Sequence, residues 1–174
     1  MDEYTTSDVS SVFSLTQIRH LMRVEFSRAQ RYGYPLSCVL IAVDRAEALR
    51  NAHGYELREK VLMEVVDLLQ NATRTCDYLG RLMDDRLMAI LPHTNRAGAE
   101  TTADRILGAA RGVSIPDGAS SVPVTLSIGI SHYADENTMF FDSLVGAAEA
   151  ALAEAMEAGG DRWAYRDPGP KARA

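Results

Sequence analysis

The segment Leu36–Val43, LSCVLIAV, is an almost continuous apolar run of strand length. A strand with one solvated face alternates apolar and polar residues, whereas a strand covered on both faces does not. Helical periodicity lies on either side of this run in the chain. We therefore predict a central strand with helices packed on both faces of its sheet.

Five segments have the apolar spacing or the end signals of helices. The first starts at Ser14, which fits a capping box with Gln17, and it ends near Gly33. The others are predicted over residues 44–51, 57–72, 95–110 and 142–158. These helices would supply the layers that cover the sheet.

A β-hairpin is predicted between the third and fourth of these helices. Two β-prone runs, residues 75–82 and 86–91, flank the polar segment 83–85, where Asp tolerates the φ angles of a tight turn. Pro92 would end the second strand because it has no N–H for the ladder. Two later strands are expected at 122–131 and 162–165, with a loop over 112–121.

The order of these elements predicts an α/β sandwich with a mixed sheet. A chain of 174 residues suits one domain, which we place at residues 14–166. Residues 1–13 have no periodicity and are predicted to be a flexible lead. Residues 167–174 are predicted to be a disordered tail.

Charge and composition exclude several classes of function. A net charge of -6 argues against nucleic-acid binding, which usually needs a basic face. Neither a run of about 20 apolar residues nor a signal peptide is present, so we expect a cytoplasmic protein without membrane insertion. The cysteines, Cys38 and Cys76, are predicted to be buried thiols. The four histidines have no metal-ligand or triad spacing, so no metal site is predicted.

Residues 13–166 resemble the GGDEF family of diguanylate cyclases. The matching segments are Ser14-Leu15-Thr16 for D-x-L-T, Arg28-Ala29-Gln30-Arg31 for R-A-x-R, Arg81 through Pro92 for R-Y-G-G-D-E-F and its trailing strand, and Val124 through Gly129 for V-T-x-S-x-G. The resemblance implies a mixed, mainly antiparallel central sheet flanked by helices. The family that this chain resembles joins two GTP molecules into cyclic di-GMP, using Mg²⁺.

The signature that this resemblance locates is degenerate. It reads Met83, Asp84, Asp85, Arg86 and Leu87. By the family pattern, Asp85 keeps the acidic third position, both glycines are lost, and Arg86 replaces a glutamate. Paired acids at a hairpin tip are more often turn formers than metal ligands.

Other positions of the family's active site also differ. The metal-binding Asp of the first strand aligns with Ala42, and Asp44 lies two residues further along. The guanine-reading positions hold Arg50 and Glu59, and the phosphate-binding Lys position holds Glu47. With this charge pattern we predict no cyclase activity, no metal and no cofactor.

The resemblance implies one surviving site, the family's R-x-x-D product site. Arg74 and Asp77 occupy it, and Arg105 aligns with a supporting arginine on the next helix. Arginine forks bind phosphates and guanine edges, and a carboxylate accepts from guanine N–H groups. At about 100° per residue, Arg105 falls outside the apolar stripe of its helix and is expected to face solvent.

The favoured hypothesis is therefore an inactive receptor that binds cyclic di-GMP through Arg74, Asp77 and Arg105. It would signal through an unidentified protein partner, and the resemblance also implies a ligand-linked homodimer. The alternative for Arg74 and Asp77 is a local surface ion pair. The alternatives for the protein are an interaction scaffold without nucleotide binding, a weak GTP binder or a residual cyclase.

Overall fold

The computed structural model describes residues 12–133 and 140–169. The helices within these residues are α1 (Leu15–Tyr32), α2 (Ala46–His53), α3 (Tyr55–Ala72), α4 (Arg96–Arg111) and α5 (Phe141–Glu157). The strands are β1 (Leu36–Val43), β2 (Tyr78–Arg81), β3 (Leu87–Pro92), β4 (Ser114–Asp117), β5 (Ser120–Pro123), β6 (Leu126–Tyr133) and β7 (Arg162–Tyr165).

The main sheet has the strand order β2-β3-β1-β6-β7, so β1 is its central strand. Strand β1 pairs antiparallel with β3 and β6, whereas β7 pairs parallel with β6. The predicted central strand and the predicted mixed, mainly antiparallel sheet are confirmed.

Both faces of β1 are buried because its side chains enter two different cores. Val39 and Ile41 pack in the cluster that contains α3 and α4, and Cys38 and Leu40 pack in the cluster that contains α1 and α5. Successive side chains of a strand point to opposite faces, which is why a continuous apolar run suits this position. The fold is a helix–sheet–helix sandwich.

Helix α1 begins and ends where its end signals predict. The Ser14 hydroxyl accepts from Gln17 N–H at 3.3 Å, and the Gln17 side chain accepts from Ser14 N–H at 2.9 Å. Gly33 ends the helix in the left-handed region, with φ 72°. Helices α2 to α5 begin and end within two residues of their predicted bounds.

The hairpin of β2 and β3 is confirmed, but its first strand is shorter than predicted. Residues 75–77 belong to a turn in which Asp77 N–H donates to the Arg74 carbonyl at 3.0 Å. The turn between the strands contains Asp85 with φ 62°, and Leu82 N–H closes it on the Arg86 carbonyl at 2.8 Å. The predicted role of the acidic pair as turn residues is confirmed.

The predicted loop over 112–121 is wrong, and the strand predicted over 122–131 is confirmed only for residues 126–131. Strands β4 and β5 form a separate two-stranded sheet, and β6 begins after Pro123. Ile115 and Val122 face each other across the small sheet and are buried in the α3–α4 core, which stabilises it. Gly118, with φ 61°, forms the tight turn between β4 and β5, in the Pro-Asp-Gly segment that we had predicted to be loop.

Three smaller predictions also need correction. Phe13, predicted as flexible lead, pairs with Gly80 beside β2, and its carbonyl accepts from Arg81 N–H at 2.9 Å. Cys76 is exposed in the turn before β2, whereas Cys38 is buried as predicted. Pro168 in the predicted tail is buried. Residues 1–11 of the lead and residues 170–174 lie outside the described residues. Among the helices of the described part, none could span a membrane.

Candidate functional site

The three predicted ligand residues, Arg74, Asp77 and Arg105, come together around one open cavity of about 420 Å³. We call it the arginine cavity. It lies between the turn before β2, the end of β3 and the exposed side of α4 as far as Arg105. The residues that line it are Pro35, Ala72, Arg74, Asp77, His93, Thr94, Asn95, Gly98, Thr101, Thr102 and Arg105.

Arg74 is held at the cavity edge by its turn. Its N–H donates to Asp77 Oδ2 at 2.8 Å, and its guanidinium donates to the Thr94 hydroxyl. The ion pair between Arg74 Nε and Asp77 Oδ2 is long, at 3.7 Å. The Arg74 side chain is 58% exposed, so it remains open to a ligand.

Thr94 was not predicted as a site residue, yet it positions Arg74. It is buried, its hydroxyl donates to the Pro92 carbonyl at 3.1 Å, and its own carbonyl accepts from Ser37 Oγ at 2.7 Å. The hydroxyl can accept from Arg74 at the same time, because it has one donor proton and two lone pairs. No local sequence signal marks this role.

Asp77 differs from its predicted role as an open acceptor. Its side chain is only 3% exposed, and Oδ2 accepts the Arg74 N–H. Its other oxygen, Oδ1, accepts a long, weak hydrogen bond from the Cys76 thiol at 4.0 Å. The carboxylate therefore closes the Arg74 turn, and Oδ1 is the less firmly bonded of its two oxygens.

Arg105 lies on the exposed face of α4, as its helical phase predicts. No hydrogen bond or ion pair to Arg105 occurs within residues 12–133 and 140–169. The neighbouring Thr101 and Thr102 hydroxyls donate to helix carbonyls at 2.9 and 3.0 Å. The Arg105 guanidinium therefore lines the cavity without a hydrogen-bond or ionic partner among the described residues.

His93 and Tyr34 form an aromatic stack beside the arginine cavity, which the sequence did not reveal. Their ring centroids lie 3.9 Å apart with an interplanar angle of 25°. The Tyr34 hydroxyl donates to Glu25 Oε2 at 3.0 Å, and Tyr78 donates to Glu25 Oε1 at 3.2 Å. Burial, with the hydrogen bond to Glu25, raises the pKa of Tyr34 to about 12.

A second cavity, of about 360 Å³, lies between the signature segment 83–87, the end of β1 and α3. We call it the signature pocket. Asp85 at its rim is bound by two arginines: its Oδ1 accepts from Arg81 Nε at 2.9 Å, and its Oδ2 contacts Arg58. Arg81 also lies 3.6 Å from Glu59. Both oxygens of Asp85 are therefore occupied by guanidinium groups.

The next signature residues pair with each other. Arg86 Nε donates to Asp84 Oδ2 at 2.7 Å, and Arg86 N–H reaches Asp84 Oδ1 at 3.3 Å. Partial burial acts to raise the pKa of Asp84, but the hydrogen bonds and charge of Arg86 outweigh it and lower that pKa. Leu87 is buried in the α3–α4 core, and Met83 is 86% exposed.

Asp44, the acid nearest the end of β1, is committed to packing. Its carboxylate accepts from Thr125 Oγ1 at 2.8 Å, Ser127 Oγ at 2.6 Å and Asp161 N–H at 2.9 Å. A Cβ at Gly160 would meet this carboxyl group at 2.7 Å, so the loop before β7 closes tightly over it.

The signature pocket does not fit a magnesium ion. Ala42 supplies no ligand, Asp44 bonds to its own chain, and Asp85 is neutralised by arginines. In the described part of the chain, no cluster of three or more His, Cys, Asp or Glu side chains could hold a metal. Mg²⁺ requires oxygen ligands in near-octahedral geometry at about 2.1 Å.

Comparison of the sequence finds a family model described as "Diguanylate cyclase, GGDEF domain" that matches residues 9–162. Diguanylate cyclase A of Treponema denticola is 26% identical over 166 residues, which are 92% of this chain. The chain spans only 44% of the length of that relative.

Solved structures share the fold. The diguanylate cyclase SiaD of Pseudomonas aeruginosa, in complex with its activator SiaC, has a TM-score of 0.84 at 22% identity, covering 90% of this chain and 60% of that one. The GGDEF domain of DgcB from Caulobacter crescentus, in complex with c-di-GMP, has a TM-score of 0.83 at 13% identity, covering 97% and 96%.

Proposed function

The chain belongs to the GGDEF family, and from this premise we propose that it is an inactive member that binds cyclic di-GMP in the arginine cavity. In this proposal ligand binding alters a surface that a protein partner recognises. The observation that carries it is the convergence of Arg74 and Arg105, from separate elements, on a cavity whose Arg105 has no ionic partner among the described residues.

The contacts of the signature pocket support the proposed loss of catalysis. Phosphoryl transfer in such a site needs metal and cations around the triphosphate. Here Arg58 and Arg81 are bound to Asp85, and Glu47 lines the pocket where a phosphate would approach. Freeing these groups would break several charge-assisted hydrogen bonds before GTP gained any.

The chemistry of the arginine cavity supports a cyclic dinucleotide as ligand. Two guanidinium groups suit its phosphodiesters, because charge-assisted hydrogen bonds to phosphate are short and strong. Asp77 Oδ1 would accept from a guanine N–H group at the cavity edge. The DgcB domain, of the same fold, was solved in complex with c-di-GMP.

A protein partner and a ligand-linked dimer complete the proposal. The structurally similar SiaD was solved in complex with its activator SiaC, which supports a protein partner for this chain. A bound dinucleotide at an open cavity exposes one side to a second domain, which would link ligand binding to association.

Titration calorimetry with cyclic di-GMP tests the proposal. The Arg74→Ala and Arg105→Ala variants should each bind about 10- to 100-fold more weakly, the loss expected for one charge-assisted contact. Arg50→Ala is the matched control, since Arg50 is also exposed and also has a weak i,i+3 partner, Glu47 at 4.0 Å. Equal affinity in all three variants would contradict binding in the arginine cavity, and no heat with the wild type would leave the scaffold hypothesis instead.

A further inference from the structure

His93 is the aromatic side chain among the residues that line the arginine cavity in the described part of the chain. It is exposed, it follows β3 directly, and its backbone has φ 54°. A residue other than glycine rarely adopts this left-handed conformation, and such outliers persist only where the surroundings hold them. Buried Thr94, bonded to Ser37 and Pro92, provides that hold.

The His93 ring rests on a rigid support. One of its faces stacks on Tyr34 at 3.9 Å, and Tyr34 is fixed in turn by its hydrogen bond to Glu25. Glu25 is 5% exposed and also binds Arg28 at 3.0 Å. The His93 ring is therefore already ordered before a ligand binds. This order lowers the entropic cost of a contact between the ring and the ligand.

The two arginines recognise only the phosphate groups of a cyclic dinucleotide and leave its bases without a partner. Arg74 and Arg105 match its phosphates, whereas its purines need flat partners that replace base stacking. The His93 ring is flat, supported on one side by Tyr34, and lines the same cavity. Its stacking role requires the ring and not a positive charge, which the two guanidinium groups already supply.

We propose that His93 is a nucleobase-stacking residue of the arginine cavity, selecting ligands that carry a purine next to a phosphodiester. This inference rests on the proposed function and deepens it. Stacking on an aromatic side chain is worth enough that its loss weakens binding by about tenfold.

Calorimetry with cyclic di-GMP at pH 8 would compare the wild type with two substitutions of His93. Asn removes the ring but tolerates the left-handed backbone, whereas Phe keeps a ring that can stack. We expect about tenfold weaker binding for His93→Asn and little change for His93→Phe. His20→Ala, which removes an exposed histidine of α1, is the control and should bind as the wild type does.

The outcomes separate the two proposals. No heat with the wild type overturns the proposed function, and this inference with it. If the wild type binds and His93→Asn binds with the same affinity, the stacking role alone is overturned. The same holds if His93→Phe binds as weakly as His93→Asn. Proton NMR of the wild type gives a second readout, which requires no substitution. The resonances of the His93 ring protons should move upfield on saturation with cyclic di-GMP. Binding without such a shift would contradict stacking.

Discussion

The Ser127 hydroxyl on β6 donates to the Asp44 carboxylate beyond β1 at 2.6 Å. This bond joins the neighbouring strands β1 and β6 near the end of β1 that lines the signature pocket. Thr125 and the backbone of Asp161 complete the set, so the end of β1, the start of β6 and the loop before β7 converge on one carboxylate. In this chain the acid after β1 acts as a structural tie.

Replacing Asp44 by Ala should therefore lower the free energy of unfolding, by about 2–3 kcal/mol, because three donors lose a charged acceptor. Urea denaturation measures this. Glu47→Ala is the control, since the Glu47 side chain is 89% exposed and its change should stay within about 0.5 kcal/mol. Equal stabilities of the two variants would contradict the structural role of Asp44.

The packing of β6 on α5 gives a second prediction. A Cβ at Gly129 would lie 2.1 Å from the Ala148 carbonyl oxygen and 2.4 Å from Leu152 N, so backbone would have to move. Gly129→Ala should destabilise the protein by about 3 kcal/mol. Gly146 lies on the same helix in open space, and Gly146→Ala should stabilise it by about 0.5–1 kcal/mol. The same sign for both variants in urea denaturation would be inconsistent with this packing.

The hydrogen bond from Tyr34 to Glu25 predicts a pH dependence of stability. Burial, with that bond, raises the folded-state pKa of Tyr34 to about 12, above its ordinary value of 10.0. The contribution is thus fully present below pH 10 and is lost as the pH rises through 12. Tyr34→Phe should flatten the fall in urea midpoint over this window. Tyr55→Phe, at a 64% exposed tyrosine, should keep the wild-type slope.

Thr94 is predicted to act on ligand binding through Arg74. Thr94→Val keeps the shape but removes the oxygen that accepts from the guanidinium, so cyclic di-GMP should bind about three- to tenfold more weakly. Thr73→Val is the control, because the Thr73 hydroxyl donates to the Leu69 carbonyl at 2.8 Å and makes no hydrogen bond to the Arg74 guanidinium in the described structure. If Thr94→Val binds cyclic di-GMP with wild-type affinity, Thr94 does not position Arg74 for ligand binding.

Local periodicity predicted the features that depend on neighbours in sequence. The apolar run of β1, the capping box at Ser14 and the exposed phase of Arg105 all follow from spacing alone. The β4–β5 sheet was missed because turn residues dominate a segment whose two apolar side chains, Ile115 and Val122, are enough to anchor it.

Long-range contacts account for the parts of the site that spacing could not predict. Tyr34 stacks on His93, 59 positions later, and Asp44 meets Asp161, 117 positions later. The R-x-x-D spacing located Arg74 and Asp77, but only the folded turn shows that Asp77 is nearly buried and bonded to the Arg74 backbone.

The most direct test of the central claim compares two ligands on one wild-type sample. Calorimetry should give saturable heat with cyclic di-GMP, because Arg74 and Arg105 face an open cavity. It should give none with GTP and Mg²⁺, and the mixture should contain no cyclic product after incubation, because Asp44 and Asp85 are bound to their own chain. The account would be contradicted by binding heat with GTP and Mg²⁺, by formation of cyclic product, or by the absence of binding heat with cyclic di-GMP.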